Sequence, residues 1–204
     1  MPGDGIVFDP QSVSVEETQI DADYQGVRVK ATALLERSRI PVQIDIGFSD
    51  ELTSKAESIE YPNILPDLKT VRMKGCPKES VVAEKFHATI RHGDLNSRMK
   101  DYYDLWLISE TFEFDGMSLQ KAIETTFKKR DTEIPNERPL SADFAHTSQT
   151  RWINFLNKME LDHTEVDDFQ NVLVTIWKFL EHLVQSSLSQ TKSTRKWKPR
   201  KGWK

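Results

Sequence analysis

The amino-acid sequence predicts an α+β protein in which a small sheet module precedes a helical bundle. The first observation is a strict alternation of apolar and polar residues in two runs of the N-terminal third, VRVKATALL and IPVQIDIGF. The second is a change to helical spacing of apolar residues from Cys76 onward. The third is the order of the segments, because strands that precede helices as a block are typical of α+β folds.

The composition is that of a globular protein. The 204 residues are 37% hydrophobic, enough to bury the core of one domain or of two small ones. No run approaches 18 consecutive apolar residues and the N-terminus lacks a signal-peptide pattern, so we expect a cytoplasmic protein with no membrane contact. The single cysteine, Cys76, excludes an internal disulfide bond.

Residues 1–75 are predicted to form the sheet module. Two strands form a β-hairpin with one buried face and a polar turn, ERSR, between them. The buried face comprises Val27, Val29, Ala31, Ala33, Ile40, Val42, Ile44, Ile46 and Phe48. A shorter strand at SVSVEE comes before the hairpin, and the proline-rich segment from Tyr61 to Leu68 is a connection.

Residues 76–190 are predicted to form a helical domain of five helices. Ser80 is the expected N-cap of the first helix, VVAEKFHATIR, and the second helix opens with NSRMKD. Ser118 is the expected cap of the third helix, and the fourth covers SQTRWINFLNKM. The fifth helix runs from Val166 to Val184 with an apolar stripe along one face.

Residues 191–204 form a basic tail. This segment holds seven Lys and Arg residues and no acid, whereas residues 1–190 hold 21 bases against 32 acids. With Trp197 and Trp203 between the charges, the tail could grip phosphates and stack on the bases of a nucleic acid. It could equally be a disordered, solubilising end, and disorder is the prediction.

The stretch NSRMKDYYDLW in the second helix allows two interpretations. Helical spacing predicts one apolar stripe formed by Met99, Tyr103, Trp106 and Leu107. Arg98, Asp101 and Asp104 recur every third residue on another face. These charges could pair along a solvated helix face, each pair contributing about 0.2–0.5 kcal/mol. Alternatively, the two carboxylates could face a common ligand.

Asp45 and Lys85 are the other candidate functional residues. The alternation that buries Ile44 and Ile46 places Asp45 on the opposite face of its strand, beside Gly47, which leaves room for a ligand. Aspartate is depleted in strands, and Mg²⁺ coordination is one reason for its presence. Lys85 flanks the apolar stripe of its helix, as a surface lysine or as a phosphate ligand.

The sequence resembles the AbiEii/AbiGii toxin family of nucleotidyltransferases from type IV toxin–antitoxin and abortive-infection systems. The resemblance extends over roughly residues 5–185. It rests on the compound motif AEKFHA followed by SRMKDYYDLW, with IDIG before it and FEFDGMSLQKAIETTFKKR after it. It implies that residues 1–75 form part of a nucleotidyltransferase-like sheet.

The resemblance also implies site residues. The Asp of the second family motif corresponds to Asp45, a Mg²⁺ ligand, and the lysine of the third corresponds to Lys85, which meets the nucleotide triphosphate. The acidic helix of the fourth motif corresponds to Asp101 and Asp104. We therefore expect Asp45, Lys85 and Asp101 to be catalytic. We expect Lys85, Arg98 and Asp104 to contact the nucleotide.

The function implied by the resemblance is transfer of a nucleotide from an NTP to an acceptor such as tRNA, with Mg²⁺ as cofactor and a cognate antitoxin as partner. The family's first motif, an Asp-x-Asp pair that binds metal, is absent from the sequence. We therefore expect an N-terminally truncated member with weak catalysis. The alternative is a catalytically inactive protein- or RNA-binding module that retains the helical bundle.

Overall fold

The computed structural model describes residues 5–21, 24–47, 56–63, 69–93, 96–139, 141–161 and 164–204. Within these ranges the chain forms five helices and eight strands, arranged in three small sheets. The predicted α+β class is confirmed. The chain divides into two compact units, Met1–Leu52 and Thr53–Lys204.

The first unit contains an antiparallel sheet of three strands in sequence order, β1 (Ile6–Asp21), β2 (Tyr24–Leu35) and β3 (Ser38–Gly47). The predicted hairpin is confirmed as β2 and β3, in which Val29 lies opposite Ile44. The strand before it, predicted to be short, extends over 16 residues and pairs with β2 along most of its length.

The predicted buried face of this sheet is exposed in part, and Val27, Val29, Ala31 and Val42 are half-buried. Ala33 is buried, but Ile40, Ile44 and Ile46 are 38%, 55% and 43% exposed, so the prediction is wrong for these residues. The reason is that the described part of the unit consists of three strands and offers no second layer of its own to cover them. Phe48 lies outside the described residues.

The second unit begins with a separate antiparallel hairpin of β4 (Glu57–Tyr61) and β5 (Val71–Gly75). The predicted connection overlaps the gap between these strands, where residues 64–68 lie outside the described part of the chain. Sequence alone set the domain boundary after residue 75, whereas the compact units divide after Leu52, so this hairpin is grouped with the helices.

Five helices form the body of the second unit, in the segments where helical spacing predicted them. They are α1 (Lys78–His92), α2 (Met99–Thr111), α3 (Gly116–Lys129), α4 (Ala142–Lys158) and α5 (Phe169–Leu188). Helix α5 contacts α2, α3 and α4, and α1 contacts α2 and α3. Their shared core includes Phe86, Tyr102, Phe127, Trp152, Phe169 and Phe179, all nearly inaccessible to solvent. No helix within the described ranges is long and apolar enough to cross a membrane.

Two predicted helix caps are wrong. Helix α1 begins directly after Pro77, and Ser80 is buried within the helix. Pro77 occupies the N-cap position, and this helix start has no side-chain cap hydrogen bond. Helix α3 is capped by Asp115, whose Oδ1 accepts hydrogen bonds of 2.9 Å from the backbone N–H and the hydroxyl of Ser118.

Helix α4 begins earlier than its apolar pattern predicted. Ser141 is the N-cap and accepts a hydrogen bond of 3.0 Å from the N–H of Phe144. The first two turns are mostly polar, so the cap marks the start better than periodicity does. Helix α5 starts after its own cap, Asp168, and ends at Leu188, four residues beyond the predicted end.

The predicted disordered tail is wrong. Residues 191–204 contain β7 (Lys196–Lys198) and β8 (Gly202–Trp203), which pair with each other. Strand β7 also pairs with β6 (Phe114–Asp115), in the turn before α3, so the three strands form one small sheet. We call residues 196–204 the C-terminal hairpin.

Both tryptophans of the C-terminal hairpin pack into the helical unit. Trp197 is 5% exposed, and its indole N–H donates to the backbone oxygen of Ser109 at 2.7 Å. The indole N–H of Trp203 donates to the backbone oxygen of Phe179 at 3.0 Å, and their rings are parallel. These contacts withdraw the tryptophans from the base-stacking role that sequence alone suggested.

Candidate functional site

Lys85 of α1 meets two carboxylates of α2. Its ammonium nitrogen lies 2.9 Å from Oδ1 of Asp101 and 2.6 Å from Oδ2 of Asp104. The two aspartates are three residues apart, so successive turns of α2 present both to the same neighbour. The structure thus brings together three of the five predicted site residues.

The packing of α1 on α2 creates this arrangement. On α1, Val82 and Phe86 are one turn apart and fully buried, and Lys85 lies beside them at the margin of the packed face. On α2, Tyr102 and Leu105 are fully buried and direct the helix against its neighbours. The apolar contact between α1 and α2 lies next to the polar cluster. It holds the two helices at a fixed distance and so sets the distance between Lys85 and the two carboxylates.

The apolar stripe predicted for α2 is only partly correct. Met99 is buried as predicted, whereas Tyr103 and Trp106 are half-buried and Leu107 is 41% exposed. The fully buried residues are instead Tyr102 and Leu105, as given above. Helix α2 contacts α1, α4 and α5. Its buried surface is therefore broader than the predicted stripe and includes Tyr102 and Leu105, which lie outside that stripe.

Lys85, Asp101 and Asp104 are partly withdrawn from water, with side chains 20%, 16% and 19% exposed. Burial is the largest influence on the pKa of Lys85 and lowers it, but hydrogen bonds from its ammonium to the two carboxylates outweigh burial and leave the pKa raised. Burial likewise raises the pKa of Asp104, but hydrogen bonds from Lys100 and Lys85 outweigh it and leave the pKa lowered. Lys85 and Asp104 are therefore each held in the charged form.

Arg98 and Lys100 add positive charge at the start of α2. The ammonium of Lys100 lies 2.6 Å from Oδ2 of Asp104, and Nε of Arg98 lies 3.9 Å from Oδ2 of Asp101. Their side chains are 56% and 64% exposed. The charges therefore pair along the helix, and both carboxylates also contact Lys85. A ligand shared by the two carboxylates stays a prediction.

Asp45 is described in the first unit, where its partner is Arg28 on the adjacent strand. The guanidinium donates from Nε to Oδ1 at 2.7 Å and from Nη2 to Oδ2 at 3.1 Å, and Gln43 donates to Oδ2 at 3.1 Å. The hydrogen bond from Arg28 holds the pKa of Asp45 below its usual range. This cross-strand pair gives a structural reason for an aspartate within a strand.

The described residues do not by themselves form a Mg²⁺ site. Mg²⁺ requires octahedral oxygen coordination, completed by waters and substrate phosphates around one or two carboxylates. Among the described residues, no group of three or more His, Cys, Asp or Glu side chains is placed to hold a metal ion. Asp45 contributes one carboxylate, to which Arg28 is already bonded at both oxygens. Its assignment as a metal ligand stays a prediction.

An open groove adjoins the cluster between the start of α2 and the outer face of α4. Its volume is about 520 Å³. The charged and aromatic side chains that line it are Arg98, Lys100, Asp101, Arg151, Phe155 and Lys158. We call it the basic groove, because it combines four cationic side chains with one carboxylate. Asp101 belongs both to this groove and to the Lys85 cluster.

Sequence reasoning missed Arg151 and Lys158. Together with Asn154 and Phe155 they occupy positions i, i+3, i+4 and i+7 of α4, which share one face of a helix. Their helical spacing can be read in the segment SQTRWINFLNKM, but only the apolar residues of this segment were used to predict its buried face. What the sequence could not show is that this face lies next to the start of α2.

Comparison with known protein families gives a match over most of the chain. The family model described as nucleotidyl transferase AbiEii toxin, type IV TA system, matches residues 3–175. The match spans all five predicted site residues as well as Arg151 and Lys158, and the C-terminal hairpin lies beyond it. Neither the curated proteins nor the solved structures gave a match.

Proposed function

The chain belongs to the AbiEii family of nucleotidyl transferase toxins of type IV toxin–antitoxin systems, and from this premise we propose that it transfers a nucleotide from an NTP to RNA, such as tRNA, in the cytoplasm. Mg²⁺ is the proposed cofactor. Membership in the family also implies a cognate antitoxin as partner. The observation that best supports the proposal is the position of Lys85 between Asp101 and Asp104.

The proposed reaction demands positioning and charge neutralisation more than covalent chemistry from the protein. An acceptor hydroxyl oxygen bonds to the α-phosphorus of the NTP, the bond from that phosphorus to the bridging oxygen breaks, and pyrophosphate leaves. The hydroxyl proton passes to solvent. Negative charge on the triphosphate must be balanced throughout, and a fixed ammonium group can supply part of that balance.

Lys85 is suited to this role. A lysine ammonium has three N–H donors, and Asp101 and Asp104 accept two of them. Considering the described residues, one N–H donor of this ammonium is therefore left for a phosphate oxygen of the nucleotide. Because its two partners fix the ammonium in place, little ordering of the side chain would be needed when a nucleotide binds.

The carboxylates act through Lys85 in this proposal and are positioning residues. Since both touch the ammonium, the choice of Asp101 over Asp104 as the more important one for catalysis stays a prediction. Arg98 is exposed at the start of α2, where the helix dipole also favours an anion, and is the proposed second contact to the nucleotide.

A labelling assay tests the proposal. The purified chain is incubated with total tRNA and each of the four NTPs labelled at the α-phosphate, with and without Mg²⁺. We expect label in the RNA with at least one NTP and only with Mg²⁺ present. Lys85→Met should abolish labelling, while Lys121→Met, a change at an exposed lysine of α3, should not. Absence of labelling with every NTP would overturn the proposal.

A second candidate function is binding of nucleotide or RNA without catalysis. It is favoured by the surroundings of Asp45, whose two carboxylate oxygens already accept hydrogen bonds from Arg28. The two candidates differ in the same assay. A chain that retains NTP in equilibrium dialysis, yet leaves every RNA unlabelled, is a binding module.

A further inference from the structure

We propose that the basic groove binds the phosphodiester backbone of a single-stranded polynucleotide. The inference deepens the proposed function, on which it rests for its biological role, since it identifies where an acceptor strand would contact the protein. The binding itself requires no NTP and no transfer, so it can be tested separately.

The charge of the basic groove is the first argument. Four cationic side chains and one carboxylate give it a surplus of three positive charges, although the whole chain carries a net charge of −4. A local surplus of this size attracts a polyanion to this surface, while the net negative charge of the rest of the chain repels it elsewhere. The N-terminus of α2 adds the positive end of a helix dipole.

The second argument concerns which charges remain available. Lys100 and Arg98 are partly committed to Asp104 and Asp101. Arg151 and Lys158, in contrast, have no carboxylate partner among the described residues. Arg151 donates one hydrogen bond, to the hydroxyl of Ser148 at 3.1 Å, and a guanidinium has five donors.

The third argument is the shape of the α4 face. Arg151 and Lys158 are seven residues apart, which places them about 10 Å from one another along the helix axis. Two cations at this separation suit two different phosphates of an extended strand better than one compact anion. Between them lie Asn154, which can donate or accept hydrogen bonds, and the half-buried ring of Phe155. Cations interleaved with an aromatic ring are typical of surfaces that bind single strands.

Fluorescence anisotropy tests the proposal with single-stranded RNA and DNA of one mixed sequence, each about 12 nucleotides long. Binding to the full chain is measured without NTP between about 50 and 200 mM salt. The variant Arg151→Gln, Lys158→Gln should bind about tenfold more weakly at 0.1 M salt. Its slope of log affinity against log salt should be smaller by about 1.4, because each lost phosphate contact removes about 0.7.

The control variant is Lys121→Gln, Lys128→Gln, which removes two exposed lysines with the same seven-residue spacing from α3. It should keep both the affinity and the slope. Lys158→Gln alone gives a second test, because no described side chain depends on that ammonium. Circular dichroism melting checks that each variant is folded. Equal binding of RNA and DNA supports recognition of the shared backbone, and stronger binding of RNA supports it with additional contacts to the 2′-hydroxyl.

Four results would overturn the proposal. The first is failure of the chain to bind either oligonucleotide, and the second is binding by the groove variant that equals that of the unchanged chain. The third is an equal loss of affinity in the control variant, which would indicate diffuse attraction. The fourth is displacement of the strand by polyglutamate or inorganic triphosphate with the same dependence on Arg151 and Lys158, which would assign the groove to an acidic peptide or to a nucleotide. Loss of labelling with intact strand binding would instead count against the proposed function alone.

Discussion

Lys85 and Asp104 form an ion pair of 2.6 Å between two helices. The same carboxylate oxygen, Oδ2 of Asp104, lies 2.6 Å from the ammonium of Lys100, one turn earlier on its own helix. The two ammonium groups differ in their surroundings, since the side chain of Lys85 is 20% exposed and that of Lys100 is 64% exposed. One carboxylate therefore has a partly buried partner and a solvated partner, whose contributions can be separated.

Replacing the partly buried partner, Lys85, should cost more stability than replacing the solvated partner, Lys100. Lys85→Met leaves two partly buried carboxylates without their shared donor, and we expect a loss of about 1–3 kcal/mol in the free energy of unfolding. Lys100→Met removes an exposed pair within one helix and should cost no more than about 0.5 kcal/mol. Urea denaturation of both variants measures the difference. Equal losses would show that the pair between helices has no special weight.

The cluster should also make stability depend on pH. A carboxyl group with a lowered pKa in the folded state stabilises the fold above its unfolded pKa, and this contribution is lost as the pH falls through the folded pKa. The pKa of Asp104 is lowered from its ordinary value of 3.8. The stability advantage of the unchanged chain over Asp104→Asn should thus be largest near neutral pH. It should shrink from about pH 5 to below pH 3.8.

Unfolding free energies of the two proteins in a series of buffers give this advantage directly. The ionic strength is kept constant, because salt screening would otherwise change together with the pH. An advantage that is the same at every pH would mean that Asp104 acts through shape and hydrogen bonding alone.

The C-terminal hairpin should be a major source of stability. Trp197 is 5% exposed, bonds to Ser109, and has its ring centroid 4.9 Å from that of Phe179. Trp197→Ala should therefore cost about 3–5 kcal/mol. Lys198→Ala, at an exposed position of the same strand, should stay within about 0.5 kcal/mol. Thermal and urea denaturation supply both values. A small effect of the tryptophan change would mean that the hairpin is dispensable for folding.

Asp45 and Arg28 allow a structural role to be separated from a functional one. Their side chains are 37% and 34% exposed, and an ion pair at this level of exposure contributes little to stability. If Asp45 serves only this pair, Asp45→Asn and Arg28→Gln should have equal, small effects on stability and on NTP binding. If Asp45 is instead a metal ligand, Asp45→Asn should abolish Mg²⁺-dependent NTP binding and Arg28→Gln should not. Isothermal titration with and without Mg²⁺ measures this binding.

The sequence was informative where local patterns decide the structure. The helical domain follows from apolar spacing that a solvated segment would not maintain, and the β2–β3 hairpin follows from strict alternation on both sides of a polar turn. The face that Asp101 and Asp104 share also follows from their spacing. The sequence could not show that Lys85 is the residue opposite them, because the choice of neighbouring helix is a property of the whole core.

The errors have the same physical origin. The segment 191–204 looked like a solvated tail because seven charges dominate its composition, yet two indole rings suffice to anchor it. The pairing of β7 with Phe114 and Asp115 spans some eighty residues of sequence and leaves no local signal. In the N-terminal sheet the reverse occurred, since alternation identified the strands but could not reveal whether a second layer covers Ile44.

The anchoring of Trp197 has a consequence for the order of events during protein synthesis. The bond from its indole to Ser109 joins residues separated by 88 positions, so the core around Phe179 stays open while the intervening chain is being translated. Contacts of such long range form late, and they slow folding. The helical unit can therefore close only after the chain has been translated beyond Trp197, and an unfinished chain is exposed to proteases in the meantime.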